Sequence, residues 1–165
     1  MAVHRNNNTL KLKYIGGNYL SDRRQNLKAK IEDCVKTFCS NYTVTEVTCS
    51  SLNNIGAGVY IITDGKNVLT GYSNNLENRL SRICRGDLRI NQITRLFMAN
   101  FENIAPNLSR ETSVNNRLIM LREEISKLVN SLSIIIAKCS SMNLRELHKK
   151  LTKCLSTNQS IPQTQ

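Results

Sequence analysis

Residues 58–82 constrain what this chain can fold into more than any other stretch. They read GVYIITDGKNVLTGYSNNLENRLSR, in which two short apolar runs rich in β-branched residues flank Asp64-Gly65. An Asp-Gly pair between such runs is typical of a β-hairpin, because both central positions of a two-residue type I′ turn need a positive φ. The stretch therefore predicts two antiparallel strands joined by a tight turn.

A helix is predicted directly after the hairpin. Ser73 or Asn74 provides an N-cap for it. Three apolar side chains then recur at the spacing of one helical face, namely Leu76, Leu80 and Ile83. Arg79 and Arg82 are three residues apart, so they project from the same side of this helix.

This hairpin and helix resemble the core of the GIY-YIG nucleases. In that family a Gly-Ile/Val-Tyr strand, a turn and a Tyr-hydrophobic-Gly strand precede a helix with the pattern Asn-Leu-x-x-Arg-Leu. The matching residues are, in chain order, Gly58-Val59-Tyr60, Gly71, Ser73, Asn75-Leu76 and Arg79-Leu80. The resemblance covers roughly 25 of the 165 residues. It implies a small α/β domain that acts on nucleic acid.

The resemblance also implies roles for individual residues. Tyr60 is similar to the family's first tyrosine, a general base or water-positioning group, and Arg79 to the arginine that binds the scissile phosphate. Leu69 stands where the family has its second tyrosine. Tyr72 is one position past Gly71, and alternation along a strand places it on the face opposite Leu69. The chain is thus similar to an endonuclease whose cleavage is retained, weak or lost.

A glutamate holds one divalent metal ion in the GIY-YIG family, so the resemblance implies Mg²⁺ or Mn²⁺ as cofactor if the protein is active. Glu123 or Glu124, about 45 residues past Arg79, is the expected ligand. Glu102 and Glu111 are the alternatives.

The family's third strand follows the arginine helix, but no strand is predicted at that place here. It is expected instead from residues 9–15, where apolar residues alternate with lysines, or from 42–49, which are rich in Thr and Val. Residues 103–110, with Pro106, are predicted to be a linker. The resulting units are an α/β domain over 9–105, a helical C-terminal unit over 109–155, and polar tails over 1–8 and 156–165.

The net charge is +11, from 23 basic and 12 acidic residues. Such a balance favours nucleic acid or another polyanion as partner. The densest basic run consists of Arg79, Arg82, Arg85, Arg89 and Arg95, and the first four are expected to bind nucleic acid. Arginine suits bidentate contact with phosphate. The alternative is that these arginines are the solvated faces of two short helices.

Apolar residues over 114–139 follow a heptad pattern, which predicts one long helix. Two interpretations stay open, a buried core helix and a helix that forms a homodimer. Asn143 and Glu146 form a capping-box pattern that opens a last helix. The C-terminal part is therefore predicted to be a helical hairpin.

The six cysteines include no CxxC pair, which argues against a zinc site. The N-terminus is polar, and no apolar run is long enough to cross a bilayer. We therefore expect free thiols in an intracellular protein, in cytoplasm or nucleus, with no membrane partner.

The predicted fold class is α/β (α+β), a small sheet with a hairpin–helix core plus the C-terminal helical hairpin. Two functions fit this prediction. The first is a nucleic-acid-binding protein that resembles a GIY-YIG endonuclease, with weak or lost metal-dependent cleavage. The alternative is a non-enzymatic protein of viral type, as the Asn-rich composition suggests, that binds RNA or DNA and oligomerises through residues 114–139.

Overall fold

The computed structural model describes residues 17–157, except for the side chains of residues 17–25, 103, 104 and 107. The predicted strand over 9–15 and the predicted tail over 1–8 lie outside this range, as does the second tail beyond residue 157. None of the helices over 17–157 combines the length and apolar character of a bilayer-spanning segment. The elements in this range are α1 (Gly17–Lys36), β1 (Tyr42–Val47), β2 (Gly58–Thr63), β3 (Val68–Ser73), α2 (Leu76–Cys84), α3 (Asn91–Ala99), α4 (Phe101–Arg110), α5 (Val114–Ser131), β4 (Ser133–Cys139) and α6 (Leu144–Thr157).

The strands form an antiparallel sheet in the order β1-β4-β2-β3. The two central strands are the most apolar. Every residue of β2 is buried, and so are the first five residues of β4. A strand that is covered on both faces is continuously apolar instead of alternating. The sheet is therefore the middle layer of the structure.

Helices cover both faces of the sheet. Because side chains alternate along a strand, Tyr60 and Ile62 of β2 point to one face, and Val59 and Ile61 point to the other. The first face packs against α2, α3 and α5. The second packs against α1 and α6. The predicted mixed α/β fold with a small sheet is confirmed.

The hairpin of β2 and β3 is confirmed, but its turn differs from the prediction. Four residues connect the strands instead of two, and of these only Gly65 has a positive φ, 90°. The Asp64 carboxylate accepts hydrogen bonds from the backbone N–H groups of Lys66 and Asn67, at 2.9 and 2.7 Å. The predicted type I′ turn is wrong because the Asp64 side chain closes a longer loop.

Helix α2 follows the hairpin as predicted, with a different cap. The N-cap is Asn75, whose side chain accepts a hydrogen bond from the backbone N–H of Asn78 at 2.9 Å. Ser73 supports this start, since its hydroxyl accepts from the backbone N–H of Asn75 at 3.0 Å. The buried residues of α2 are those predicted, Leu76, Leu80 and Ile83.

The predicted helix over 114–139 is wrong in its second part. Helix α5 ends at Ser131, and residues 133–139 form β4, which pairs with β1 on one side and β2 on the other. A central strand buries both of its faces, so three consecutive isoleucines are each 1 % exposed, namely Ile134, Ile135 and Ile136. The C-terminal part is therefore not a helical hairpin.

The strand beside the hairpin is β4, which follows the arginine helix in the chain. The strand predicted within 42–49 exists as β1, but it lies beyond β4 at the edge of the sheet. The predicted linker over 103–110 is also wrong, because these residues belong to α4, which contains Pro106. Strand β4 thus places part of the predicted C-terminal unit within the sheet.

All six cysteines are paired, so the prediction of free thiols is wrong. Their positions alone carry no pairing signal, because connectivity depends on the fold. The disulfides tie α1 to α6, the segment after α1 to β4, and the segment after β1 to the end of α2. They are Cys34–Cys154, Cys39–Cys139 and Cys49–Cys84.

Loss of the Cys34–Cys154 disulfide is expected to lower the free energy of unfolding by about 2–5 kcal/mol. This bond joins residues 120 apart in sequence, whereas Cys49–Cys84 joins residues 35 apart. Because loop-closure entropy grows with loop length, the second loss is expected to cost about 1 kcal/mol less. Chemical denaturation of the two double-serine variants measures the difference. Equal stability of the wild type with and without reductant would contradict the pairing.

Candidate nucleic-acid interface

The hairpin and α2 bring Tyr60 and Arg79 together. Tyr60 lies in β2, opposite Gly71 of β3, and its ring is on the face that α2 covers. Burial raises the pKa of the Tyr60 phenol above its ordinary value, and the positive charge of Arg79 offsets part of this rise. The two residues that the resemblance singles out are therefore close in space.

The side chain of Tyr60 is enclosed by the core. It is 1 % exposed, and its hydroxyl has no hydrogen-bond partner among the described side chains and backbone groups. A Cβ atom at position 71 would collide with the ring and hydroxyl of Tyr60, so Gly71 provides the space that the phenol occupies. A general base must reach its substrate and accept a proton. A sealed phenol with a raised pKa suits a core aromatic residue better.

Arg79 lies half-buried in the middle of α2. Its guanidinium group makes no ion pair or hydrogen bond with any side chain in the part of the chain that the structure describes. An arginine can bury its aliphatic stem and keep the guanidinium group accessible, and that group still has its charge to share with an anion. The position of Arg79 therefore favours an anion from outside the chain.

Two of the other predicted arginines are already engaged by Asp87. The Nε atoms of Arg82 and Arg89 lie 2.8 and 2.9 Å from its carboxylate oxygens. Hydrogen bonds from Arg89 and Arg82 hold the pKa of Asp87 well below its usual range. Arg85 is exposed and, with Arg122, lines a cavity of about 340 Å³. Of the four predicted arginines, Arg79 and Arg85 have no acidic partner among the described residues.

Leu69 and Tyr72 lie on opposite faces of the sheet, as predicted. Leu69 packs against the apolar cluster that contains Tyr60. Tyr72 lies opposite Val59 in the sheet and is 43 % exposed. Tyr72 therefore does not take the place of the second tyrosine beside Tyr60.

The two expected metal ligands lie on α5, which packs against the same face of the sheet as α2. Glu124 forms an ion pair with Lys127 at 2.7 Å, and Glu123 is exposed. Over the described residues, no three His, Cys, Asp or Glu side chains gather in one place. The resemblance implies a single glutamate ligand, so a bound Mg²⁺ or Mn²⁺ ion stays a prediction.

A further group of cations lies outside the predicted site, on α6. Arg145, Lys149 and Lys153 are exposed and line a groove beside Tyr72 and His148. In the sequence, these three cations have a regular spacing of four residues on a predicted helix, which places them on one face of it. Their proximity to Tyr72 depends on the packing of α6 against β3, which the sequence pattern does not contain.

Comparison of this chain with known protein families, with characterised proteins and with solved structures finds no match. The resemblance to the GIY-YIG nucleases therefore rests on the residues of the hairpin and α2 alone. The function has to be inferred from the geometry described above.

Replacement of Tyr60 by phenylalanine is expected to leave stability unchanged or to raise it. The reason is that a buried hydroxyl without a partner costs roughly 1–3 kcal/mol. The folded pKa of Tyr60 lies above the unfolded value of about 10. The neutral phenol is therefore favoured by the folded state. Its contribution to stability is complete below about pH 10, the unfolded pKa, and is lost as the pH rises through the folded pKa.

Thermal melting of both proteins from neutral to strongly alkaline pH measures this effect. The wild type is expected to lose stability faster than Tyr60→Phe above about pH 10. A variant that melts much earlier than the wild type at neutral pH would show that the hydroxyl is hydrogen-bonded.

Proposed function

We propose that this protein binds nucleic acid through the surface around Arg79, on a GIY-YIG-like hairpin–helix unit whose cleavage activity is weak or lost. The observation that carries the proposal is that Arg79, a partly buried residue, has a guanidinium group with no anionic partner among the described residues. A backbone phosphate supplies that anion and accepts two parallel hydrogen bonds from a guanidinium group. The net charge of +11 adds the long-range attraction that nucleic-acid binding uses.

The order of the elements supports the same proposal. The hairpin is followed by an arginine helix and, after three further helices, by a third strand, and the resemblance also implies a third strand after that helix. Binding is favoured over cleavage by three features of the site. Tyr60 is buried, Leu69 packs against the core in place of a tyrosine, and Glu124 is held by Lys127.

Arg79→Ala is expected to weaken binding to labelled DNA and RNA by roughly tenfold, because a charge-assisted contact is lost. The slope of log affinity against log salt should fall by about one. Arg82→Ala is the matched control, on the same side of α2 but held by Asp87, and its effect should be smaller. Fluorescence anisotropy over a range of salt concentrations measures both quantities. Wild-type affinity in Arg79→Ala would contradict the proposal.

The same proteins, with Tyr60→Phe, can be incubated with supercoiled plasmid or structured RNA and Mg²⁺ or Mn²⁺. Binding without cleavage is the expected result. Metal-dependent nicking that disappears in both Arg79→Ala and Tyr60→Phe would instead establish an active nuclease.

The predicted intracellular location, in cytoplasm or nucleus, fits a nucleic-acid partner but does not fit the three disulfides. The paired cysteines favour an oxidising environment, since disulfides are rare in cytosolic and nuclear proteins. Alkylation of the protein in intact cells, followed by mass spectrometry, counts the open thiols. No modified cysteine is the expected result, because all six are paired, and six modified cysteines would show a reduced, intracellular protein.

A second candidate function, self-association without catalysis, is favoured by an apolar surface on α5. Val114, Leu118 and Ile119 are 68, 49 and 53 % exposed. The later part of the predicted dimer helix forms β4, which is mostly buried. A homodimer would therefore use only the first turns of α5. This candidate corresponds to a viral-type protein that binds RNA or DNA as an oligomer.

Leu118→Asp is expected to convert such a dimer to a monomer, because it places a charge in an apolar interface. Its stability should stay close to that of the wild type, since Leu118 is half exposed. Asn115→Asp, an exposed position in the same turn, is the control for added charge. Sedimentation velocity over a concentration series measures the assembly state. A wild-type protein that stays monomeric throughout would contradict this candidate.

A further inference from the structure

We propose that the groove between β3 and α6 binds single-stranded nucleic acid, with an unpaired nucleobase stacked on Tyr72. The groove has a volume of about 480 Å³ and is lined by Tyr72, Arg145, His148, Lys149, Thr152 and Lys153. Pockets for small molecules and cofactors typically have volumes of roughly 300–1,000 Å³. The inference rests on the proposed function for its class of partner, but it uses a different surface. This α6 groove lies on the face of the sheet opposite to Arg79.

The cations of the α6 groove are available for an external anion. Arg145, Lys149 and Lys153 are exposed, and none forms an ion pair within the described part of the chain. Four residues correspond to about 6 Å along a helix, so the three charges form a continuous stripe. Lys150 is different, because it pairs with Glu146 at 3.1 Å and lies over the ring of Phe38.

The aromatic part of the α6 groove is held in place by neighbours. The ring of Tyr72 lies 5.2 Å from that of His148, with the planes tilted by 48°. His148 is fixed in turn, since its Nε2 atom lies 3.0 Å from the Thr70 hydroxyl. That hydroxyl also lies 2.9 Å from the hydroxyl of Thr152. This polar chain joins β3 to α6 and keeps Tyr72 oriented beside the cations.

An exposed aromatic ring next to a stripe of cations matches an unpaired nucleobase with its flanking phosphates. Stacking on an aromatic side chain accepts any base, because every base has a π-face. A duplex keeps its bases stacked inside and would use only the cations. An anionic membrane surface would also attract the cations, but it is broad and flat, whereas Tyr72 lines a groove of about 480 Å³ together with them. The combination of Tyr72 with Arg145, Lys149 and Lys153 therefore favours a single strand.

The test compares a short labelled oligo(dT) with an abasic oligomer of equal length, which has the phosphates but no bases. Tyr72→Ala is expected to weaken binding of oligo(dT) at least about fivefold and to leave binding of the abasic oligomer unchanged. Tyr72→Phe keeps the ring and should bind oligo(dT) almost as the wild type does. Near-wild-type melting temperatures for both variants show that the fold is intact.

Two neighbouring lysines of α6 test whether the cations of the groove contact phosphate. Lys149→Ala should weaken binding of both oligomers and lower the salt slope by about one, because it removes a phosphate contact. Lys150→Ala removes a lysine that is already paired with Glu146 and should have little effect. Equal effects of the two lysine variants would contradict the placement of the strand along the groove.

Several results would overturn the inference. Tyr72→Ala with wild-type affinity, or with equal losses on oligo(dT) and the abasic oligomer, would show that no base stacks on the ring. Binding to phosphatidylserine vesicles that requires Lys149, without binding to oligo(dT), would point to a membrane surface. If affinity falls in Arg79→Ala but not in Tyr72→Ala, the α6 groove does not bind the strand, and the proposed function around Arg79 stands. If the wild type binds no nucleic acid, both fail.

Discussion

The position of β4 between β1 and β2 is the constraint on which the rest of the structure depends. Without β4, β1 would have no partner and the hairpin of β2 and β3 would have an open edge. Its run of isoleucines provides side chains to both layers of helices, so the two halves of the core meet at this strand. Strand β4 therefore unites the hairpin with the N-terminal and C-terminal helices.

The sheet also separates the two surfaces that we assign to nucleic acid. Tyr60 and Tyr72 occupy strands of one hairpin, yet alternation sends them to opposite faces. On one face, Tyr60 is buried under α2, and Arg79 is the residue that we propose for contact with phosphate. On the other, Tyr72 remains exposed beside the cations of α6. Each of these helices is anchored by a disulfide, Cys49–Cys84 for α2 and Cys34–Cys154 for α6.

The hairpin and α2 could be predicted because their signals are local. Turn residues, a cap and a helical apolar spacing each involve neighbouring positions, and Leu76, Leu80 and Ile83 are buried as expected. The turn itself was predicted wrongly, since the side chain of Asp64 replaced the geometry that Asp-Gly usually adopts.

The region after α5 could not be predicted from periodicity. A continuous apolar run such as Ile134 to Ile136 fits a buried strand and a buried helix equally well, and the heptad spacing continued through it by coincidence.

The disulfides and the α6 groove depend on contacts between residues far apart in sequence. Thr70 and His148, for example, are 78 positions apart. The closeness of Tyr60 and Arg79 was expected from the resemblance, whereas the burial of Tyr60 was not.

The measurement that tests the account most directly is photo-crosslinking of a bromouridine-containing single strand to the wild-type protein, with the adducts located by mass spectrometry. We expect adducts in the peptide that contains Tyr72 and in α6, and protection of Arg79 from chemical modification when nucleic acid is bound. Adducts confined to α5, or no adducts while Arg79 stays reactive, would contradict the assignment of both surfaces to nucleic acid.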